Sequence, residues 1–341
     1  MKRVTLTAAE RRELFAESAA RRGLSPVVVE KDYWVCVALT ALFGEPQPIA
    51  LVFKGGTSLS KCYGLIERFS EDVDLAFDRE GLGFTGDRDP EAAGLTSNGR
   101  RALIEALAAA TVAYVSGEFR RATSDRLSSL LPDEPWSLDV DADDVQTLLF
   151  AYPLSFEQTT YSANDYVRPS VRLELGARSD QTPCERHEVT SIATEEFGTD
   201  MSMLSPIEAP TLAATRTFWE KASLLHAENH RDQPFNPARA RSRHLYDLVQ
   251  LIKSVHGESA IADAALRDRV VQHKSLFFAS ASARYDLFKA PTIRLLPLDR
   301  DAVGRLRSDY ADMEVMFFGD RPDFNELVRE LQSLEARLND R

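Results

Sequence analysis

Apolar positions change period several times along this chain, and each change marks a new element. Thr7-Ala8-Ala9-Glu10 has the form of a capping box, so a first helix starts at Thr7. A second starts after Ser25-Pro26, since proline suits the first helical turn, and runs through Val29, Tyr33 and Ala38 to near Gly44. Residues 49–53 form a short apolar strand, residues 57–64 a helix, and residues 72–77 a second strand. The Gly-, Asp-, Pro- and Glu-rich stretch 78–98 reads as a loop. Residues 101–116 read as a helix with alanine-rich faces, followed by strand-like runs of imperfect alternation at 147–154, 167–177 and 186–190. From about Ser205 the pattern turns helical: 211–227 with Leu212, Phe218, Ala222 and Leu225 as core positions, 241–254 with Leu245, Leu248, Leu251 and Ile252 apolar, and a terminal amphipathic helix over 324–338. The expectation is an α/β (α+β) fold in three parts. These are a helical lead-in (1–46), a core with a mixed sheet (47–204) and a helical C-terminal domain (205–341).

Composition narrows this picture. With 341 residues at 44% hydrophobic, the chain has enough apolar surface for one large or two moderate cores. A net charge of −12 argues against broad nonspecific coating of nucleic acid, though it leaves room for a local basic groove. Cys36, Cys62 and Cys184 are odd in number and widely spaced, which suits reduced thiols and excludes a metal knuckle. The start lacks the apolar stretch of a secretory signal, and no uninterrupted apolar run approaches bilayer length, so the expected location is the cytoplasm. Neither a Walker A turn nor a Gly-x-Gly-x-x-Gly turn is present, which removes P-loop and dinucleotide enzymes. His226 and His230 stand four apart in the order His-x-Glu-x-His, without a third ligand, and read as ordinary surface histidines.

The chemistry concentrates in two neighbouring words, Lys54-Gly55-Gly56-Thr57-Ser58-Leu59-Ser60-Lys61 and Arg68-Phe69-Ser70-Glu71-Asp72-Val73-Asp74-Leu75. Alone, the first is a tight strand-to-helix turn, because glycine permits positive φ and Thr or Ser caps helices. Asp72 and Asp74, at i and i+2 of a strand, share one face. Like charges there repel unless a cation neutralises them. A glycine turn able to cradle phosphate, beside paired carboxylates, suits metal-assisted attack on a nucleoside triphosphate. Gly55 and Gly56 then admit the triphosphate, Thr57 and Ser58 offer hydroxyl donors to its oxygens, and Mg²⁺ (or Mn²⁺) binds the two aspartates. Glu174 alternates outward from Leu173 and Leu175, on the face of Arg172. A bare Asp-x-Asp is weak evidence, as the chance match Asp139-Val140-Asp141 shows. Arg239, Arg241 and Arg243, with Arg216 and Arg231, form a basic run able to follow an RNA backbone.

These words resemble the nucleotidyltransferase superfamily that includes DNA polymerase β. Together with Glu30-Lys31-Asp32-Tyr33-Trp34, Arg216-Thr217-Phe218-Trp219-Glu220-Lys221 and Arg243-His244-Leu245-Tyr246-Asp247-Leu248 they resemble the AbiEii/AbiGii (MenT-like) toxin nucleotidyltransferases, from about Glu30 to the C-terminal stretch. The resemblance implies a polymerase-β-like core with Asp72 and Asp74 as catalytic metal ligands and Glu174 as a third metal-binding acid. It implies a Lys221 that reaches the nucleotide phosphates, and an Asp247 needed for activity through nucleotide orientation or support of Lys221. Glu30 to Trp34 take a structural role, and Ser70 is a place where a phosphoryl group would repel incoming triphosphate. The function implied is a toxin that moves NMP from NTP to an RNA acceptor, the tRNA 3′ end, opposed by a cognate antitoxin. A protein or small-molecule hydroxyl as acceptor, or NTP binding without transfer, are the alternatives.

Overall fold

Thr7 caps the first helix, α1 (Ala8–Arg22), in the predicted capping box: Glu10 N donates to Thr7 Oγ1 at 3.3 Å and Thr7 N to Glu10 Oε2 at 2.7 Å. The computed structural model describes residues 3–70, 72–162, 167–231, 242–319 and 321–340. The chain divides into two units, each built from two pieces. One comprises Met1–Cys62 and Phe69–Leu212, the other Tyr63–Arg68 and Ala213–Arg341.

In the first unit, α2 (Pro26–Phe43) begins at the predicted proline and is buried on every side, with residues 27–42 all enclosed. A helix without a wet face belongs in a core, and its polar groups are correspondingly paired. Glu30 accepts from Ser155 N at 2.6 Å and from the Tyr161 hydroxyl. Asp32 accepts from Ile192 N at 2.8 Å and forms an ion pair with Lys61. Tyr33 donates to Ser202 O at 2.8 Å, and Trp34 stacks on Tyr152 with centroids 5.6 Å apart. The stretch from Glu30 to Trp34 thus ties α2 to several later segments of the same unit.

The strands are β1 (Leu51–Lys54), β2 (Asp72–Phe77), β3 (Ser137–Val140), β4 (Thr147–Ala151), β5 (Val171–Gly176), β6 (Cys184–Val189) and β7 (Ile207–Leu212). They form one mixed sheet in the order β3-β4-β5-β2-β1-β7-β6. The helices around them are α3 (Gly55–Lys61), α4 (Ser97–Tyr114), α5 (Arg120–Leu130), α6 (Gln158–Ser162) and α7 (Ile192–Ser202). The predicted bounds of β2 are matched to the residue. The helical reading from Ser205 is corrected: β7 pairs antiparallel with β6 and parallel with β1 before any helix begins. Pro210 interrupts its strand pattern, and its pairing partners are distant in sequence, so local propensity carries little of it.

A π-helical segment, Val115–Phe119, joins α4 to α5. The stretch Ser97–Leu130 is long and apolar enough to cross a membrane by length and composition, with a window of mean hydropathy 1.3 that is 22% buried. The expectation concerns an uninterrupted apolar run, which this stretch is not. Glu105 and Glu118 interrupt the run without lowering its average below the mark.

The second unit holds α8 (Ala214–Asn229), α9 (Ser242–Ile252), α10 (Val255–Ala262), α11 (Ala264–Phe277), α12 (Arg300–Asp312) and α13 (Phe324–Asn339). Its terminal helix buries Phe324, Leu327, Leu331, Leu334 and Leu338 along one stripe. Tyr63–Arg68 is a short excursion of the chain into this unit. Glu67 N donates to the Tyr246 hydroxyl at 3.1 Å, Glu67 O accepts from Phe318 N at 2.9 Å, and Arg68 bridges Phe317. His226 and His230 are corrected from surface residues. His226 is fully buried, with Nδ1 accepting from Arg294 N at 3.1 Å and Nε2 lying 3.0 Å from Arg284 O, and His230 is half-buried beside it. Burial pushes the His226 pKa down to about 4.

Candidate active site

Sheet register alone gathers the acidic residues of the first unit. On β2, Val73 and Leu75 point into the core, so Asp72 and Asp74 project together from the opposite face. Parallel pairing with β5 sets Asp72 beside Arg172 and Asp74 beside Glu174, while antiparallel pairing with β1 sets Asp74 beside Lys54. Two i, i+2 pairs on neighbouring strands, together with Lys54 of β1, therefore put three carboxylates and two cationic side chains on one side of the sheet.

The chain turns from Lys54 into α3 at Gly55, whose φ is +80°. A Cβ at this position would lie 1.9 Å from Asp74 Oδ2 and 2.6 Å from its Cγ. Only glycine fits, both because the backbone is left-handed and because the Asp74 carboxylate occupies the space a side chain would take. The turn and the acidic strand thus meet at Gly55 and Asp74.

Thr57 and Ser58 serve this turn differently from the expectation. Thr57 Oγ1 donates to Asp72 O, and Ser58 Oγ donates to Gly55 O at 2.9 Å, with both residues buried. Their hydroxyl hydrogens are committed to backbone, so they brace the turn against β2 and do not point a donor toward phosphate. At the other end of α3, Lys61 pairs with Asp32 and donates to Thr190 O at 3.1 Å, which pins the helix to α2. Ser70 is half-buried in the coil that leads toward β2.

Arg172 organises the acidic face. Its Nη1 donates to Asp141 Oδ2 at 2.5 Å, its Nε lies 3.4 Å from Asp72 Oδ1, and its Nη2 lies 3.7 Å from Glu174 Oε1. Burial works to lower the Arg172 pKa, but the Asp141 bond and the charges of Asp72, Glu174 and Asp141 outweigh it and raise it. Asp141 is held below the usual carboxylate range by the Asp143 N–H and by Arg172. Sequence reasoning set Asp141 aside as part of a chance Asp-x-Asp. The parallel β2–β5 register and the placement of β3 beside β4 bring it in, and neither is visible in local pattern.

The donor set on this face is carboxylate oxygen, which fits Mg²⁺. Among the described residues no group of three His, Cys, Asp or Glu side chains stands ready to enclose a metal ion. Glu174, which the resemblance implies as a third acid, stands beside Asp74 in register on this same face. Asp72 and Asp74 suit a cation that completes its shell with substrate phosphate, the common arrangement for Mg²⁺.

Lys221 and Asp247 lie in the second unit, on α8 and α9. Asp247 is fully buried and accepts from Arg68 Nε at 2.7 Å, Arg68 Nη2 at 2.8 Å and Lys221 Nζ at 2.7 Å. Burial pushes its pKa up, yet the charges and hydrogen bonds of Arg68 and Lys221 prevail and hold the carboxyl well below its usual range. Asp247 is thus a permanent anion that takes bonds on both oxygens and fixes Lys221. Arg68, the partner that sequence reasoning missed, opens the Arg68-Phe69-Ser70 stretch and reaches Asp247 with a two-pronged fork. His244, one turn before Asp247, is pushed well below the usual histidine range by burial, with Lys221 and Arg243 adding to the effect.

The basic run is only partly placed. Arg239 and Arg241 lie outside the described residues, and Arg243 is half-buried on α9. Arg216, expected in the same groove, is corrected: it is fully buried and lies 3.2 Å from Glu220, one turn on. Arg231 pairs with Glu228 at 2.9 Å.

Residues 38–335 match the family model described as nucleotidyl transferase AbiEii toxin, type IV TA system. Among solved structures the chain is similar to MenT4, a nucleotidyltransferase toxin from Mycobacterium tuberculosis H37Rv, at 17% identity and a TM-score of 0.44, covering 98% of this chain and 99% of that one. No curated protein matches it.

Proposed function

We propose, for a chain that belongs to the AbiEii nucleotidyltransferase toxin family, that it uses Mg²⁺ held by Asp72 and Asp74 to transfer a nucleoside monophosphate from an NTP to the 3′ end of a tRNA. Family membership makes the protein a nucleotidyltransferase and a toxin of a type IV toxin–antitoxin family, with an antitoxin as its counterpart. The metal, the RNA acceptor and the residue roles are our reading. The observation that carries it is the contact of Asp74 with Gly55, where the carboxylate fills the space of the missing side chain.

A divalent cation held by Asp72 and Asp74 would supply Lewis-acid polarisation of the α-phosphate and neutralise charge on the leaving pyrophosphate. Asp72 and Asp74 hold it from one strand face, and Gly55 lets the triphosphate approach the turn without a side chain in the way. The amides of the first turn of α3 would offer donors to the phosphates. An acceptor hydroxyl attacks the α-phosphorus in line. A new O–P bond forms, the bond to the β-phosphate oxygen breaks, pyrophosphate leaves, and the hydroxyl proton passes to a carboxylate of the acidic face. Within the second unit, Asp247 fixes the Lys221 ammonium as a point charge. A phosphoryl group on Ser70 would place a dianion two residues before Asp72 and oppose triphosphate binding. Three free cysteines suit a reducing compartment, and the reaction belongs in the cytoplasm with its NTP and tRNA.

The test is incubation of purified protein with Mg²⁺ and each α-labelled NTP, in separate reactions with total tRNA, with protein acceptors and with neither. Label should enter tRNA and be blocked by prior periodate oxidation of the 3′ end. Label confined to protein, or bound NTP without transfer, would overturn the acceptor.

A further inference from the structure

The three contacts of Arg172 are unequal. Its bond to Asp141, at 2.5 Å, is a short charge-assisted hydrogen bond, and Asp141 is itself held by the Asp143 N–H at 3.0 Å. The separations from Asp72 and Glu174, at 3.4 Å and 3.7 Å, are too long for good hydrogen bonds and leave Coulomb attraction as the main effect. One prong is anchored, and the remaining charge is spread over two carboxylates of the proposed cation face. All three acids reach it from different strands or their ends: Asp72 from β2, Glu174 from β5 and Asp141 just beyond β3.

A guanidinium cannot shed its charge, so it neutralises these acids at every working pH. Without it, Lys54 beside Asp74 would be left to offset the repulsion among Asp72, Asp74 and Glu174 on this face. With it, any divalent cation that binds Asp72 must compete with a positive group fixed a few ångströms away. Because Asp141 keeps its own bond, that competition does not require the arginine to leave.

We propose that Arg172 is the resident counter-ion of the acidic face, a positioning residue that holds Asp72 in place before a cation arrives and sets how tightly a divalent cation binds there. The inference rests on the reading of Asp72 and Asp74 as cation ligands. It concerns affinity in the absence of nucleotide, and so is separable from turnover.

The experiment is titration of Mn²⁺ alone into the nucleotide-free full-length protein, with free Mn²⁺ followed by electron paramagnetic resonance. Arg172→Gln should bind about fivefold tighter than the parent chain, the scale of a half-exposed ion pair. Arg172→Lys, which keeps the charge, should stay within about twofold of the parent. So should Arg186→Gln, which removes the same charge from edge strand β6. Asp72→Asn should abolish the binding in either background. If Arg172→Gln lacks native far-UV circular dichroism, Arg172→Met, which keeps most of the side-chain volume, should give the same gain. Unchanged or weaker binding in the folded Arg172 variant, with Asp72→Asn still abolishing it, would overturn the role of Arg172 and leave the cation reading intact. Absence of any Asp72-dependent binding in both the parent and the variant would overturn both.

Discussion

The acidic face of the sheet and the buried cluster on α8 and α9 handle negative charge in opposite ways. On the sheet, Asp72 and Glu174 are partly exposed and share one guanidinium at 3.4 Å and 3.7 Å. In the helical unit, Asp247 is enclosed and takes three bonds of 2.7–2.8 Å from two cations. The first arrangement keeps its carboxylates partly in solvent, within reach of an incoming cation. The second encloses its carboxylate completely, and Asp247 meets the Arg68 and Lys221 cations it holds. Burial and bond count thus separate the two clusters: one keeps its carboxylates open to solvent, and the other turns its carboxylate to its neighbours.

The contrast is broken most directly at Asp72. Asp72→Asn should lower turnover by about 10³-fold or more, since it removes a carboxylate from where charge develops. Its unfolding free energy should stay within about 1 kcal/mol of the parent, because the pair it loses is loose and half-exposed. Urea unfolding beside a transfer assay checks both, and a large stability loss would erase the distinction. Asp247→Ala should do the reverse in stability: about 3–5 kcal/mol lost by urea unfolding, because Arg68 and Lys221 remain buried without their anion. A loss under about 1 kcal/mol would mean that the cluster relaxes into water and does not need its carboxylate.

Smaller effects sharpen the same division. Gly55→Ala should be destabilised by about 2 kcal/mol from its left-handed backbone and displaced Asp74, with transfer falling more than stability. Equal losses would point to simple misfolding. The most gradual effect is the pH response of the helical unit. His226 has its folded pKa depressed to about 4 by burial, against about 6.5 when unfolded, so the unfolded chain binds more protons between those values. Its contribution is complete above about 6.5 and is lost as pH falls toward 4, with a slope of at most about 1.4 kcal/mol per pH unit for one proton. Thermal unfolding at pH 7, 6 and 5 should fall steadily, and a flat profile would contradict the buried neutral imidazole.

Local signals in the sequence were sufficient for local features. The capping box of α1, the proline start of α2, the bounds of β2 and the amphipathic terminal helix all follow from spacing over a few residues. What escaped depends on partners far away. β7 is a strand because β1 and β6 lie on either side of it, although Pro210 obscures its alternation. Asp141 matters through Arg172, 31 residues on, and Arg68 through Asp247, 179 residues on. Thr57 and Ser58 looked like phosphate donors because helix-start hydroxyls often are, yet the closeness of β2 and of the turn's own carbonyl captures them. His226 looked exposed on a polar stretch, and the segment around Arg284 and Arg294 covers it.

The central claim is that the Gly55 turn and the Asp72–Asp74 face form a nucleotidyl-transfer site. Parallel reactions with α-labelled and γ-labelled NTP, Mg²⁺ and total tRNA, using the parent chain and Asp72→Asn, test it most directly. The account predicts that α-label enters the acceptor, γ-label leaves as pyrophosphate, and both are lost in the variant. Transfer of the γ-label, or α-label transfer that survives in Asp72→Asn, would contradict it.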